Sequence, residues 1–211
     1  SYDYEVTNLL ANLQLSYKVT KDLSLRVNTG YNTTRADELM LIPQTAQHHN
    51  RAPVRRTTFS TNHFKGWIIE PQAEYNRFIG PGKLNVLVGG TWQTTDNNSN
   101  QTIAQGFSSD ALMKSLAAAT SLEAKTEVSQ YRYQAFFARL GYNWRDKYIV
   151  NLSARRDGSS RFGRGQQYAG FGAVGAAWIF TNETWVEKHL PFLSFGKLRG
   201  SYGTSGNDKI R

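Results

Sequence analysis

Alternation with a period of two is the feature that most constrains this chain. From Leu9 the odd positions read Leu9, Ala11, Leu13, Leu15, Tyr17 and Val19, while the intervening positions read Asn8, Leu10, Asn12, Gln14, Ser16 and Lys18. One face is apolar and the other almost wholly polar, which is the signature of a strand with one face away from water. The pattern recurs down the chain. Leu23, Leu25, Val27, Thr29 and Tyr31 stand against Asp22, Ser24, Arg26, Asn28 and Asn32; Trp67, Ile69, Pro71, Ala73 and Tyr75 stand against Ile68, Glu70, Gln72, Glu74 and Asn76. Further runs cover Leu84 to Gln93, Tyr131 to Trp144, Tyr148 to Arg155, Phe171 to Phe180 and Leu193 to Tyr202. The spacing therefore predicts about eight strands, mostly of ten or more residues. Globular strands most often run about 5–6 residues, whereas a tilted strand needs about 9–11 to cross a bilayer. Pro71 cannot donate to a ladder, so a local irregularity is expected within the third strand.

The connections alternate in length. Thr20-Lys21-Asp22, Ile79 to Gly82 (with Pro81-Gly82 as a tight turn) and Arg145-Asp146 are short. Thr34 to Lys65 and Thr95 to Gln130 are long, Gly158 to Gly170 is intermediate, and Thr181 to Pro191 carries a short helix-like piece. Short turns at one end and long loops at the other are the habit of outer-membrane barrels. Within the second long loop, Asp110 to Leu122 reads as a short helix with Ser109 as N-cap.

Alternation alone leaves two architectures. A membrane barrel turns its apolar face to lipid and its polar face to a wet interior; a soluble β-sandwich glycan-binding module turns the apolar face inward. The apolar faces hold no charge except Arg77 and Arg156 near strand ends, and Tyr17, Tyr31, Tyr142, Trp144, Tyr148, Trp178 and Tyr202 lie near strand ends, where aromatic girdles belong. Large polar groups, among them Gln14, Lys18, Arg26, Gln72, Glu74 and Arg155, suit a wide lumen. These favour the barrel.

Other classes find no support. With 211 residues and no cysteine, disulfides, thiolate metal sites and cysteine nucleophiles are excluded. No run approaches the roughly 20 apolar residues of a membrane helix. Ser1-Tyr2-Asp3-Tyr4 has neither the basic start nor the apolar core of a signal peptide, so a mature protein or an internal piece is expected. The net charge of +9 does not cluster, apart from Arg51, Arg55 and Arg56, so no nucleic-acid partner is expected. Glu70 and Glu74 share a strand face but stand about 13 Å apart, beyond the roughly 5–9.5 Å of glycosidase pairs, and read as lumen charge balanced by cations on neighbouring strands. His48-His49 lack a third ligand by spacing, and His63 and His189 stand alone. No metal, cofactor or catalytic residue is assigned, and no enzyme is expected. Arg155-Arg156-Asp157-Gly158-Ser159-Ser160-Arg161-Phe162 is the densest polar motif, read first as a structural turn. Phe107 and Phe162 are aromatics either free to stack on sugar rings or buried under the loops.

Several stretches carry a resemblance. Phe137-Ala-Arg-Leu-Gly-Tyr-Asn-Trp-Arg-Asp-Lys-Tyr148, then Leu152-Ser-Ala-Arg-Arg-Asp-Gly-Ser-Ser-Arg-Phe-Gly163, with Trp67-Ile-Ile-Glu-Pro-Gln-Ala-Glu-Tyr75, Leu198-Arg-Gly-Ser-Tyr-Gly-Thr-Ser-Gly-Asn207 and the opening Asn8 to Tyr17, resemble the barrel of SusC/RagA-type TonB-dependent outer-membrane transporters. The resemblance implies a 22-stranded, plugged barrel in the cell outer membrane. Such a barrel is paired with a SusD-like surface lipoprotein and imports oligosaccharides or peptides with energy relayed by TonB. Residues 1–211 would then be one internal barrel segment without plug or TonB-contact segment, TonB acting only through an N-terminal part not present here. The expected fold is an all-β, antiparallel up-and-down meander, part of a transmembrane barrel. Its free edges, Leu9–Val19 and Leu198–Tyr202, are expected to pair into an oligomer if the segment is isolated.

Overall fold

A computed structural model describes residues 1–47, 54–161, 168–190 and 192–206. Eight strands form one antiparallel meander, paired in chain order: β1 (Tyr2–Lys18), β2 (Leu23–Ile42), β3 (Arg56–Ile79), β4 (Gly82–Gln105), β5 (Ser121–Trp144), β6 (Tyr148–Ser159), β7 (Tyr168–Trp178) and β8 (Leu198–Gly203). All eight lie in a single sheet, so the two packed sheets of a sandwich are not formed. The meander and its order agree with the alternation.

Strand length differs from the expectation. β2 to β5 run for 20 to 24 residues, well past the apolar alternation. Much of what reads as long loop is strand, and the connections shrink to residues 43–55 and 106–120. The apolar stripe itself is short. On β2 the odd positions Leu23, Leu25, Val27 and Tyr31, broken only by Thr29, are apolar or aromatic and then become Thr33, Arg35 and Asp37; on β4 the even positions Leu84 to Trp92 give way to Thr94, Asp96, Asn98 and Asn100. The stripe covers the 9–11 residues that span a bilayer, and the polar overshoot continues the same ladder beyond it. β3 passes through Pro71 without a break.

The chain divides into two units at that change of character. The first comprises residues 1–11, 30–67 and 94–130; the second comprises residues 12–29, 68–93 and 131–211. The first unit holds the polar overshoot. Its small core is Ala104, Phe107 and Met113, with Leu41, Phe59, Ala118 and Ala119 against them. Thr57, fully buried, donates its hydroxyl to the Met113 carbonyl at 2.8 Å. Arg55 Nε donates to Asp110 Oδ1 at 2.6 Å and fixes the 106–120 connection.

The expected helix over Asp110 to Leu122 is not formed. Two 3-10 turns, Asp110–Leu112 and Leu116–Ala118, replace it, Ser109 makes no side-chain cap, and Ser121 already opens β5. The reason is closure. The Thr120 N–H donates to the Gln105 carbonyl at 2.9 Å, so the two ends of the connection are ladder neighbours. A straight helix over that stretch would separate them by about 20 Å. Gly106, at φ 78°, starts the return with a conformation open to glycine.

The second unit holds the apolar stripe and the short turns. β5 and β6 pair Phe136 with Arg156, Leu140 with Leu152 and Trp144 with Tyr148 on one face, and Phe137 with Arg155, Arg139 with Ser153 and Gly141 with Asn151 on the other. β6 and β7 continue it, pairing Leu152 with Val174 and Tyr148 with Trp178. Among the described residues no element covers the first face: Leu140, Trp144, Val150, Leu152, Val174 and Tyr202 are all exposed. A two-residue turn closes one hairpin at Gly80-Pro81, and a three-residue turn, Arg145-Asp146-Lys147 with its first two residues at φ 54°, closes the next. The one α-helix among the described residues, α1 (Thr184–His189), falls in the β7–β8 connection, where the sequence carries its helix-like piece.

Candidate functional site

The polar face of the second unit is a hydrogen-bonded surface. Asn76 and Asn85 each donate an amide N–H to Glu74 Oε1, at 2.9 and 3.1 Å, and Asn85 also donates to Asn76 Oδ1 at 2.6 Å. Thr91 donates to Glu70 Oε1 at 3.1 Å. Lys83, Arg139, Asn143 and Asn151 line the same cleft as Glu74. Glu74 was expected to be balanced by cations; its hydrogen bonds come instead from amides, with Arg26 and Arg139 acting at longer range. Neither Glu70 nor Glu74 forms an ion pair among the described residues. Amides serve here because two flexible cations would have to be immobilised to do the same work on a wet face.

The Arg155–Phe162 motif is a structural knot. Arg155 Nε donates to Asp157 Oδ1 at 2.6 Å and its Nη2 to the Tyr133 hydroxyl at 2.5 Å, while its guanidinium lies 5.9 Å from the Phe137 ring centre. Arg156 sits over Tyr168 at 5.0 Å, and Arg161 over Tyr131 at 4.3 Å. The Gln134 amide donates to the Tyr168 hydroxyl. Each arginine is thus committed to an aromatic ring, contacts that contribute about 0.5–1 kcal/mol each at exposed sites. Phe162 lies outside the described residues.

At the short-turn end one carboxylate gathers the aromatic border. Glu183, just before α1, accepts from Lys147 Nζ at 2.8 Å, the Tyr148 hydroxyl at 2.7 Å and Trp178 Nε1 at 3.3 Å. Lys147 first, then Tyr148, hold its carboxyl below the ordinary carboxylate range. Tyr148 stacks between Trp144 and Trp178, at 5.7 and 6.5 Å. The girdle position of these rings is legible in the sequence; the carboxylate that ties them together is not, because Glu183 lies in a connection with no periodicity.

In the first unit the outer ends of the strands carry an open cleft lined by Tyr2, Tyr4, Glu5, Asp37, Glu38 and Ser60, among others. Arg35 Nε donates to Asp37 Oδ2 at 2.8 Å and Thr61 to Asp37 Oδ1 at 2.8 Å, which together hold that carboxyl below its usual range. His63 Nε2 meets the Thr33 hydroxyl at 3.3 Å, and His189 Nδ1–H donates to the Trp185 carbonyl at 2.8 Å. His48, His49 and Arg51 lie outside the described residues. Phe107 is buried in the core of this unit and so presents no ring to a ligand. Among the described residues no three His, Cys, Asp or Glu side chains come together as a metal site.

A single antiparallel sheet with one uncovered apolar face, aromatic borders and one hydrogen-bonded polar face is a section of a transmembrane β-barrel wall. The chain belongs to the TonB dependent receptor-like, beta-barrel family, whose model matches residues 1–207. TonB-dependent receptor P26 of Formosa agariphila is 32% identical over 150 residues, covering 69% of this chain and 15% of that protein. TonB-dependent receptor SusC of Bacteroides thetaiotaomicron is 26% identical over 137 residues, covering 65% of this chain and 13% of that protein. In fold, the RagAB peptide transporter structure matches 99% of this chain and 24% of that chain, with a TM-score of 0.84 at 24% identity. The chain thus spans less than a fifth of the length of these two curated relatives.

Proposed function

We propose that this chain is a wall segment of an outer-membrane, TonB-dependent nutrient importer that takes up oligosaccharides or peptides together with a SusD-like surface lipoprotein. The observation that carries the reading is the two-faced band: on each long strand, 9–11 residues present apolar groups to one side and hydrogen-bonded polar groups to the other, with aromatic rings at the borders. In this reading lipid covers the Leu140–Leu152 face, the Glu74–Asn85–Arg139 face borders the wet interior, and the polar overshoot stands outside the membrane toward the lipoprotein and substrate. TonB acts through other parts of the protein.

Cysteine labelling tests the faces: these 211 residues contribute no cysteine of their own, and any elsewhere in the full-length protein is first replaced by serine. Single cysteines are placed in the full-length protein at Val150 and Leu152, at Asn151 and Ser153, and at Lys114. In intact outer membranes a charged maleimide should label Lys114→Cys readily and leave Val150→Cys and Leu152→Cys unlabelled until detergent is added. Labelling of the 150 and 152 positions at the rate of the 114 position would sink the reading. Recovery of a surface lipoprotein with the tagged protein, and loss of growth on oligosaccharide or peptide when its gene is deleted, test the partner and the substrate.

A further inference from the structure

The connection between β7 and β8 turns toward the face that lipid covers in the wall reading. Trp144, Tyr148 and Trp178 stand on that face at the short-turn border. Phe180 meets Trp178 edge-on at 5.9 Å and continues the row. Glu183 accepts from the Tyr148 hydroxyl and from Trp178 Nε1, so α1 starts beside the same rings. The return is fixed there too. The Gly196 N–H donates to the Thr181 hydroxyl at 3.1 Å, and a Cβ at Gly196 would run into the Phe180 ring.

Held in that place, the connection leaves larger apolar groups open than the stripe does. Val186 is the buried residue of α1, while Trp185, Phe192 and Phe195 are 56%, 80% and 66% exposed, against 45% for Leu152. Three rings left uncovered by their own chain mark a contact with something else. Cations accompany them. Lys188 stands three residues after Trp185 on α1 and shares its flank, and Lys197 lies two residues past Phe195. Arg145 lies over the Trp144 ring at 5.6 Å. None of these three cations forms an ion pair among the described residues, and Glu183 is already taken by Lys147 at 2.8 Å. Glu187 is the one carboxylate within α1 itself.

We propose that Trp185, Phe192 and Phe195, with Lys188 and Lys197, bind the headgroup region of an anionic phospholipid at the short-turn end, which in outer-membrane barrels is the periplasmic side. This rests on the wall reading and goes beyond it, since a lipid-facing wall needs no preference among headgroups. Lipid is the occupant because Phe180 ties the connection to the row of rings that borders the lipid face. Tryptophan and phenylalanine settle at the boundary between headgroups and acyl chains, where a lysine without a carboxylate partner reaches phosphate. Charge then selects. Each of the two lysines favours a headgroup of net negative charge over a zwitterionic one by about 5-fold.

The test uses the full-length protein, its other cysteines replaced by serine, in phosphatidylcholine nanodiscs. An environment-sensitive fluorophore is attached at Ser194→Cys, between Phe192 and Phe195, or at Leu152→Cys in the middle of the stripe. The discs carry a small, varied fraction of spin-labelled phosphatidylglycerol or spin-labelled phosphatidylcholine as quencher. At position 194 phosphatidylglycerol should quench at a mole fraction about 5-fold or more below that needed for phosphatidylcholine, and the Lys188→Gln, Lys197→Gln double variant should remove the difference. Position 152 should show no such preference. Equal quenching by the two lipids at 194, or a preference that survives the double variant, overturns the headgroup site. Quenching at 152 with none at 194 also overturns it and leaves the wall reading standing, whereas quenching at neither position would count against the wall reading itself.

Discussion

A charge placed at the middle of the apolar stripe should destabilise the folded protein sharply, and the same charge one residue away should not. Leu140 and Leu152 face each other across β5 and β6 at the centre of the stripe that runs from Phe136 to Trp144. Leu152 is 45% exposed in the chain, and that exposed part is what lipid would cover. Full burial of a leucine contributes about 1.5–3 kcal/mol, so the lipid-covered share is about 1 kcal/mol. An arginine at the midplane of a barrel's lipid face adds about 2–4 kcal/mol. Leu152→Arg should therefore cost about 3–5 kcal/mol, and Asn151→Arg or Ser153→Arg, on the opposite face, less than about 1 kcal/mol. At the border the cost should fall to about 1 kcal/mol for an exposed position beside Tyr148. Urea unfolding of the full-length protein in lipid vesicles, followed by the heat-modifiable gel shift of the folded barrel, reads these differences. Equal costs at positions 151 and 152 would refute the assignment of faces, and a larger cost at 151 would reverse it.

Three further outcomes follow from the geometry. Gly89→Ala should destabilise by about 1–3 kcal/mol, since a Cβ there would stand 2.6 Å from the Phe137 ring and 2.9 Å from the Pro71 carbonyl oxygen; Gly170→Ala, with nothing within 4 Å, should be near neutral, both by the same unfolding assay. The Glu183 clamp should loosen in acid. Its folded carboxyl titrates below the unfolded value, so its stabilisation is complete above the ordinary carboxylate range and is lost as pH falls through that range toward the depressed folded value. Amide protection across residues 178–186, taken relative to the intrinsic exchange rate at each pH, should fall on acidification, and that fall should disappear in Glu183→Gln. Finally, the chain expressed alone should self-associate through β1 and β8, the two ends of the strand order, and a monodisperse monomer in detergent by light scattering would contradict that.

The parts of the fold that were legible in the sequence are those on which a solvent boundary acts. Leu9 to Val19, Trp67 to Tyr75 and Leu84 to Trp92 alternate because lipid on one side and water on the other select every second residue, and strand order then follows from short turns. Residues 33–42, 56–66, 94–105 and 121–130 are also strand, yet Asp96-Asn-Asn-Ser-Asn100 reads as loop. Both faces there meet water, so no alternation is selected, and the strand is held by its neighbour's backbone instead. The Ala- and Leu-rich 110–122 stretch failed for the opposite reason. Its local preference is helical, but a ladder bond from Thr120 to Gln105 closes the connection too tightly for a helix.

The same contrast explains which site residues were visible. Arg155, Arg156 and Arg161 stand out as a dense motif, and they prove to be spent on Tyr133, Tyr168 and Tyr131. Glu183, which gathers Lys147, Tyr148 and Trp178, forms no motif, since it lies in a connection and only the fold brings its three partners to it. A dense cluster of arginines and aromatics is self-satisfying, because cations and rings find each other first.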